Sequence, residues 1–261
     1  MLRAIPGCIL PLLVGATFAS AQPVRPLATD RPDRTESPYT VPRGWMQIES
    51  DLLSWGRIEG DNEQLTAMQI ATLNMKIGVT NRIDLQVLFN PYVHTEAEIG
   101  GSPTVEDDAT GQAGLRAKLN LFGNDEGNVA FALLPFATVP TEEDDVFDLV
   151  TWGMVTPFSV GIGDDAALSA MVGYTRVDND DSWVTASASF GSAIAGDFAG
   201  FVELYASRNS FDSDAIDDAT LDVGVTFAPG NWQLDAGVYR GLASETEDWR
   251  VFLGASVRTP L

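Results

Sequence analysis

About twelve times along this 261-residue chain, apolar and polar residues alternate with a period of two. Beyond the first twenty or so residues no stretch carries the period of a helix. Ile83–Phe89 is the clearest case: Ile83, Leu85, Val87 and Phe89 alternate with Asp84, Gln86 and Leu88. In Gly114–Phe122, Leu115, Ala117, Leu119 and Leu121 oppose Gly114, Arg116, Lys118 and Asn120, and in Ala219–Ala228 Leu221, Val223, Val225 and Phe227 share one face. The first such strand, Trp45–Trp55, sets Met46, Ile48 and Leu52 against Gln47, Glu49 and Asp51, and Trp249–Thr259 is the last. These runs are close to the ~9–11 residues that a tilted strand needs to cross a bilayer. The expected fold is all-β: an antiparallel, up-and-down transmembrane β-barrel of about 12 strands, preceded by an irregular N-terminal arm.

The connections sharpen this reading. One set is short and rich in Gly and Asn, as in Thr80-Asn81-Arg82, Gly196-Asp197 and Pro229-Gly230-Asn231. The other set is acidic: Glu59, Asp61 and Glu63; a long loop over about Glu96–Gln112; Glu142–Asp145; Asp178–Asp181; Asp212–Asp218; Glu245–Asp248. In a meander every second connection lies at the same end, so the charge concentrates on one rim. Short turns at one end and longer loops at the other are the habit of outer-membrane barrels. The formal net charge of −22, from 37 acidic and 15 basic residues, repels phosphate backbones and excludes nucleic acid as a partner.

Residues 1–21 read as a signal peptide: Arg3, an apolar run from Ile5 to Phe18, and the small-x-small site Ala19-Ser20-Ala21. The single cysteine, Cys8, leaves with it, so the mature chain has no disulfide, thiolate or cysteine ligand. An exported chain without an apolar helix belongs in the periplasm or, as a barrel, in the outer membrane. Residues 22–43 form the arm, too rich in proline (Pro32, Pro38, Pro42) for a helix, and residues 44–261 the barrel. Period alone does not say whether the apolar faces turn inward or toward lipid. The signal peptide, the rim asymmetry and aromatics near strand ends favour lipid; Trp45, Trp55, Phe89, Tyr92, Phe122, Trp183, Phe211, Phe227, Trp232 and Trp249 would form interfacial girdles.

The opening TDRPDRTESPYTVPRGWMQIE (Thr29–Glu49) resembles the N-terminal signature of a family of bacterial outer-membrane proteins labelled "putative MetA-pathway of phenol degradation", or simply "transporter". The likeness continues in KIGVTNRIDLQV (Lys76–Val87), GLRAKLNLFG (Gly114–Gly123), Val139-Pro140-Thr141, NWQLDAGVYRGL (Asn231–Leu242) and VFLGASVR (Val251–Arg258). It implies an outer-membrane barrel that passes small, aromatic or apolar compounds. The chain departs from the family in two places. Glu142 and Glu143 follow the proline-threonine where relatives often carry glycine. The chain also ends Thr259-Pro260-Leu261 rather than on the aromatic residue that the barrel-assembly machinery reads.

Candidate chemistry is sparse. His94, the lone histidine, could pair with nearby carboxylates as an acid/base group, but no Gly-x-Ser-x-Gly motif accompanies it, and a rim histidine is the plainer reading. The acidic loops, Asp178–Asp181 above all, suit weak divalent-cation binding but lack the pattern of a dedicated calcium loop. No cofactor is expected. Charge on lumen-facing positions is more telling: Arg116 and Lys118 on one strand, Glu49 and Asp51 on another, paired rather than lining an open pore. Arg31 and Arg34 of the arm would hold it against Glu49 and Asp51 as a partial plug. The partners implied are outer-membrane lipid, a small-molecule solute and the assembly machinery. The functional expectation is a small-molecule channel or transporter; the alternatives are a non-conducting structural or adhesion barrel and, least favoured, a lipid-acting barrel hydrolase.

Overall fold

The computed structural model describes residues 24–60, 63–125, 127–141, 149–177, 182–209, 217–243 and 246–261. The segment expected to be a signal peptide, Phe211 and the Asp178–Asp181 cluster lie outside these residues. The strands are β1 (Trp45–Glu59), β2 (Glu63–Gly78), β3 (Ile83–Phe89), β4 (Tyr92–Ile99), β5 (Ser102–Ala109), β6 (Gln112–Phe122) and β7 (Val129–Pro140). They continue as β8 (Thr151–Ile162), β9 (Ala166–Val177), β10 (Ser182–Ala195), β11 (Phe198–Asn209), β12 (Asp217–Phe227), β13 (Trp232–Gly241) and β14 (Trp249–Pro260). All pairings are antiparallel, and β1 pairs with both β2 and β14, which closes the sheet into a barrel.

Fourteen strands make a twelve-stave barrel because two staves are broken. The lower half of β2 pairs with β3 and its upper half with β4, in one continuous register. β6 continues β5 in the same way along β3 and β4. The break falls at Asn90-Pro91, where proline has no N–H to give the ladder. In the shared register Pro91 faces Gly111 on one side and Ala71 on the other, and Ala71 takes a left-handed φ of 58°. On β1 the ladder to β14 shifts register beside the same line, between Asp51 and Leu53. One seam of irregularity thus crosses four neighbouring staves. Above it, the stretch expected to be a long loop at Glu96–Gln112 is instead the β4–β5 hairpin, turning at Gly100 and Gly101.

Burial settles which face meets lipid. Gln47, Glu49, Lys76, Asp84, Gln86, Lys118, Glu203, Asp222 and Asp235 are buried, while Met75, Ile77, Leu85, Val87, Leu115, Val172, Val223, Val225 and Leu253 are exposed. This inside-out distribution is that of a membrane barrel with a polar lumen. The girdle is partly as expected. Trp55 packs on Trp249 at 4.4 Å near the acidic rim, and Phe122–Phe131 and Phe198–Phe227 pairs mark the short-turn rim. Trp45 and Trp183 do not belong to it: Trp45 carries the guanidinium of Arg258, and Trp183 shares the inward face of Ser187 and Ser189. The rim asymmetry is also incomplete, since the short turns carry Asp125, Asp164, Asp165 and Asp197.

Candidate functional site

Residues 24–43 have no regular secondary structure and lie inside the barrel. Both ends of this arm are at the short-turn rim, the periplasmic one in barrels of this class. At one end Arg25 pairs with Asp125 at 2.6 Å and donates to the Asn81 carbonyl; at the other, Gly44 donates to the Gly78 carbonyl and leads into β1. Between them the chain rises into the lumen and returns. Gly78 makes the return possible, because a Cβ there would collide with the Val41 and Pro42 carbonyls.

A chain with no ladder partners must satisfy its backbone through side chains. The wall supplies them. Glu203 on β11 accepts from the Arg34 and Thr35 amides at 2.9 and 2.8 Å and from the Thr35 hydroxyl. Asp84 accepts from Val41 N–H, Glu49 from Asp30 N–H and Asn124 from Thr40 N–H. Gln47, Gln233, Tyr239, Asn120 and Arg258 donate to the carbonyls of Ala28, Arg31, Pro32, Pro38 and Pro26. The Arg31-Pro32 peptide at the top of the arm is cis.

Ion pairs fix the side chains. Arg31 bridges Asp51 on β1 at 2.5 Å and Asp235 on β13 at 2.7 Å. Arg34 lies over the rings of Tyr205 and Tyr239 at 4.3 and 4.8 Å, with Asp218 at 3.6 Å and Asp222 at 3.9 Å. Asp30 is gripped by Lys76 and Lys118, and Glu36 pairs with Arg116. Burial opposes ionisation of Asp30, but the Lys118 and Lys76 ammonium groups hold it well below the usual carboxylate range. For Asp33, burial and the neighbouring Glu203 carboxylate push the group up to about 7.

Of the residues singled out in the sequence, the structure brings Arg31 and Asp51 together. It does not bring Arg34 to Glu49 or Asp51: Arg34 turns to β11–β13, and Glu49 is held by Lys76, Gln47 and the Asp30 amide. Arg116 and Lys118 are paired with arm carboxylates. Glu203, Asp222 and Asp235 are not among those residues, although each is a carboxylate between two apolar neighbours on its strand: Val202 and Leu204, Leu221 and Val223, Leu234 and Ala236. His94 lies outside this site, on the β4–β5 hairpin, where its Nδ1 meets Asp108 at 2.8 Å beside the Tyr92 hydroxyl. Among the described residues no group of three or more His, Cys, Asp or Glu side chains is placed to hold a metal ion.

Cavities lie on both sides of the arm. Above it are two adjoining spaces of about 520 and 570 Å³ that share Arg34, Asp51, Asp218 and Tyr239 and carry Trp183, Phe252, Leu88 and Met171 on their walls. Below it, a space of about 380 Å³ is bounded by Arg25, Leu27, Tyr39, Gln47 and Arg258.

An apolar outer belt, a polar lumen and twelve antiparallel staves define a β-barrel protein of the Gram-negative outer membrane. The chain belongs to the family described as "Putative MetA-pathway of phenol degradation", which matches residues 29–259. Among solved structures it is similar to the COG4313 outer membrane channel from Pseudomonas putida F1, over 85% of this chain and 97% of that one, with a TM-score of 0.66 at 14% identity. It is also similar to the translocator domain of the autotransporter NalP from Neisseria meningitidis (83% and 88% covered, TM-score 0.51, 10% identity). The β domain of the Bordetella autotransporter BrkA is similar to the same degree (82% and 98% covered, TM-score 0.50, 14% identity). At these identities the likeness speaks to the fold. Against curated protein sequences the chain has no match.

Proposed function

We propose that this barrel is an outer-membrane channel for small solutes, closed from the periplasmic side by its own N-terminal arm acting as a plug. The observation that carries the reading is the division of the lumen: the arm separates an outward-facing vestibule from a smaller space beneath it. The similarity to an outer-membrane channel supports it. Trp183, Tyr239 and Phe252 on the vestibule wall favour solutes with an aromatic or apolar part. The vestibule is large enough to admit solutes of one or two rings.

The test is conductance in planar bilayers, with solute uptake into liposomes, for the full chain and for a chain lacking Gln22–Pro38. The deletion is expected to raise conductance several-fold. Equal conductance would make the arm a passive tail. Absence of both conductance and uptake in both proteins would defeat the channel reading.

A further inference from the structure

One side of the lumen wall collects positive charge. The chain has only two lysines, Lys76 on β2 and Lys118 on β6, and both are almost wholly buried inside the barrel. Arg116 lies on the same face of β6 as Lys118. The intervening β3 aligns Lys76, Gln86 and Arg116 in one cross-strand row. In a chain of net charge −22, composition does not account for three cations in one patch. The wall offsets them in part: Glu49 pairs with Lys76, and Asp84 stands opposite Lys118 in the β3–β6 register.

The rest of the counter-charge comes from the arm. Asp30 bridges the two lysines and Glu36 takes Arg116. The fit is incomplete, since Glu36 Oε2 and Arg116 Nε are both buried without a hydrogen-bond partner. The vestibule reaches this place: Asp30, Glu36, Glu49 and Arg116 line it together with Leu88 and Met171. A solute entering from outside therefore meets Arg116 beside an apolar wall, with Lys76 and Lys118 covered by Asp30.

We propose that Lys76, Arg116 and Lys118 form a binding site for a small solute bearing carboxylates, which Asp30 and Glu36 of the arm occupy as internal substitutes until the solute displaces them. The proposal rests on the reading of the arm as a plug. Two carboxylates from one arm fill the site, so a dicarboxylate competes better than a monocarboxylate. Arg116 offers the planar, two-point recognition that carboxylates favour. Solute binding and arm release are then coupled: a solute that takes the cations removes what holds Asp30 and Glu36 in place.

The full-length barrel in detergent would be titrated calorimetrically with isophthalate, benzoate and neutral benzyl alcohol, as wild type, as the Asp30→Asn/Glu36→Gln double variant, as Arg116→Gln and as Arg116→Lys. The order isophthalate, benzoate, benzyl alcohol is expected, with no measurable heat for the alcohol. Removing the internal competitor should tighten isophthalate binding by about tenfold or more, as expected when the competent state becomes fully populated. Arg116→Gln should abolish binding and Arg116→Lys restore part of it. A chain lacking Gln22–Pro38 gives the same comparison should the double variant fail to fold. No tightening in either competitor-free protein, or equal binding of benzyl alcohol, would overturn the proposal. Conductance of the same proteins separates the two readings. Raised conductance without carboxylate binding leaves the plug and sinks the anion site. Carboxylate binding without any conductance does the reverse.

Discussion

The guanidinium of Arg31 occupies the space that a side chain at Gly254 would fill, so that a Cβ on this β14 residue would overlap Arg31 itself. From there Arg31 reaches Asp51 and Asp235 and lies 5.5 Å from the centre of the Phe252 ring. Gly254→Ala should expel Arg31 while leaving the outer, lipid-facing side of β14 unchanged. The expected result is a barrel that still resists detergent unfolding but conducts more than wild type, with an arm open to added protease. Unchanged conductance and protease resistance would show that the arm does not depend on this packing.

Glu203 gathers the top of the arm through two amides and a hydroxyl. Glu203→Gln keeps the shape but replaces charge-assisted acceptance with a neutral one. Hydrogen bonds to charged groups contribute about 1.5–3 kcal/mol, so loss of that assistance should speed exchange of the Thr35 amide by about tenfold or more. Hydrogen exchange read by mass spectrometry or NMR checks this, with β11 amides as the control that should not change.

Asp33 gives the arm a pH dependence. Its carboxyl is pushed up to about 7 in the docked arm, from 3.8 in the ordinary case, by burial and then by Glu203. A raised carboxyl takes up a proton on docking, so this contribution to docking is complete in acid and falls away as pH rises toward and through about 7. Asp30 of the arm adds to the rise, and the Ser189 hydroxyl on β10 opposes it through a hydrogen bond to the carboxylate. Conductance should be higher at pH 8 than at pH 6, and Asp33→Asn should flatten that difference. A steeper response in the variant would contradict the assignment.

The lipid face should respond differently from the lumen. Leu253 is 54% exposed near the middle of β14. An arginine there faces hydrocarbon and should cost about 2–4 kcal/mol of barrel stability, as at the midplane of other outer-membrane barrels. Equilibrium unfolding in lipid vesicles measures it. Ser256→Arg, on the adjacent lumen face, should instead perturb the arm.

The staves could be read from the sequence because lipid and lumen demand opposite chemistry on alternate residues, and Ile83–Phe89 or Leu221–Phe227 obey that demand. The β4–β5 hairpin escaped because it carries Glu96, Glu98, Asp107 and Asp108 where no lipid imposes an apolar face. In β4 the alternation persists, with Val93, Ala97 and Ile99 against His94, Glu96 and Glu98, but the acidic run masks it. Pro91 follows soon after Ile83–Phe89, and it marks a break in a stave that resumes as β4. For the arm, charge complementarity points Arg31 and Arg34 alike to Glu49 and Asp51. It could not say that Arg34 would cross to Tyr205 and Tyr239, because a segment without periodic structure gives no register from which to assign its contacts. Glu203, Asp222 and Asp235 were marked only by being carboxylates within apolar strands, a mark that becomes useful once inward positions are known.

The places where the arm is fastened also impose an order of events on biogenesis. The arm precedes every strand of the barrel in the chain, yet Glu203, Asp222, Gln233, Asp235, Tyr239 and Arg258, which help to hold it, all come from β11–β14. These contacts span most of the sequence, the kind that chain-closure entropy makes late. The arm therefore has no complete seat until the final strands have joined β1. Closing the lumen becomes a report that the barrel is whole, and a chain arrested before its last strands would be left with its passage unsealed.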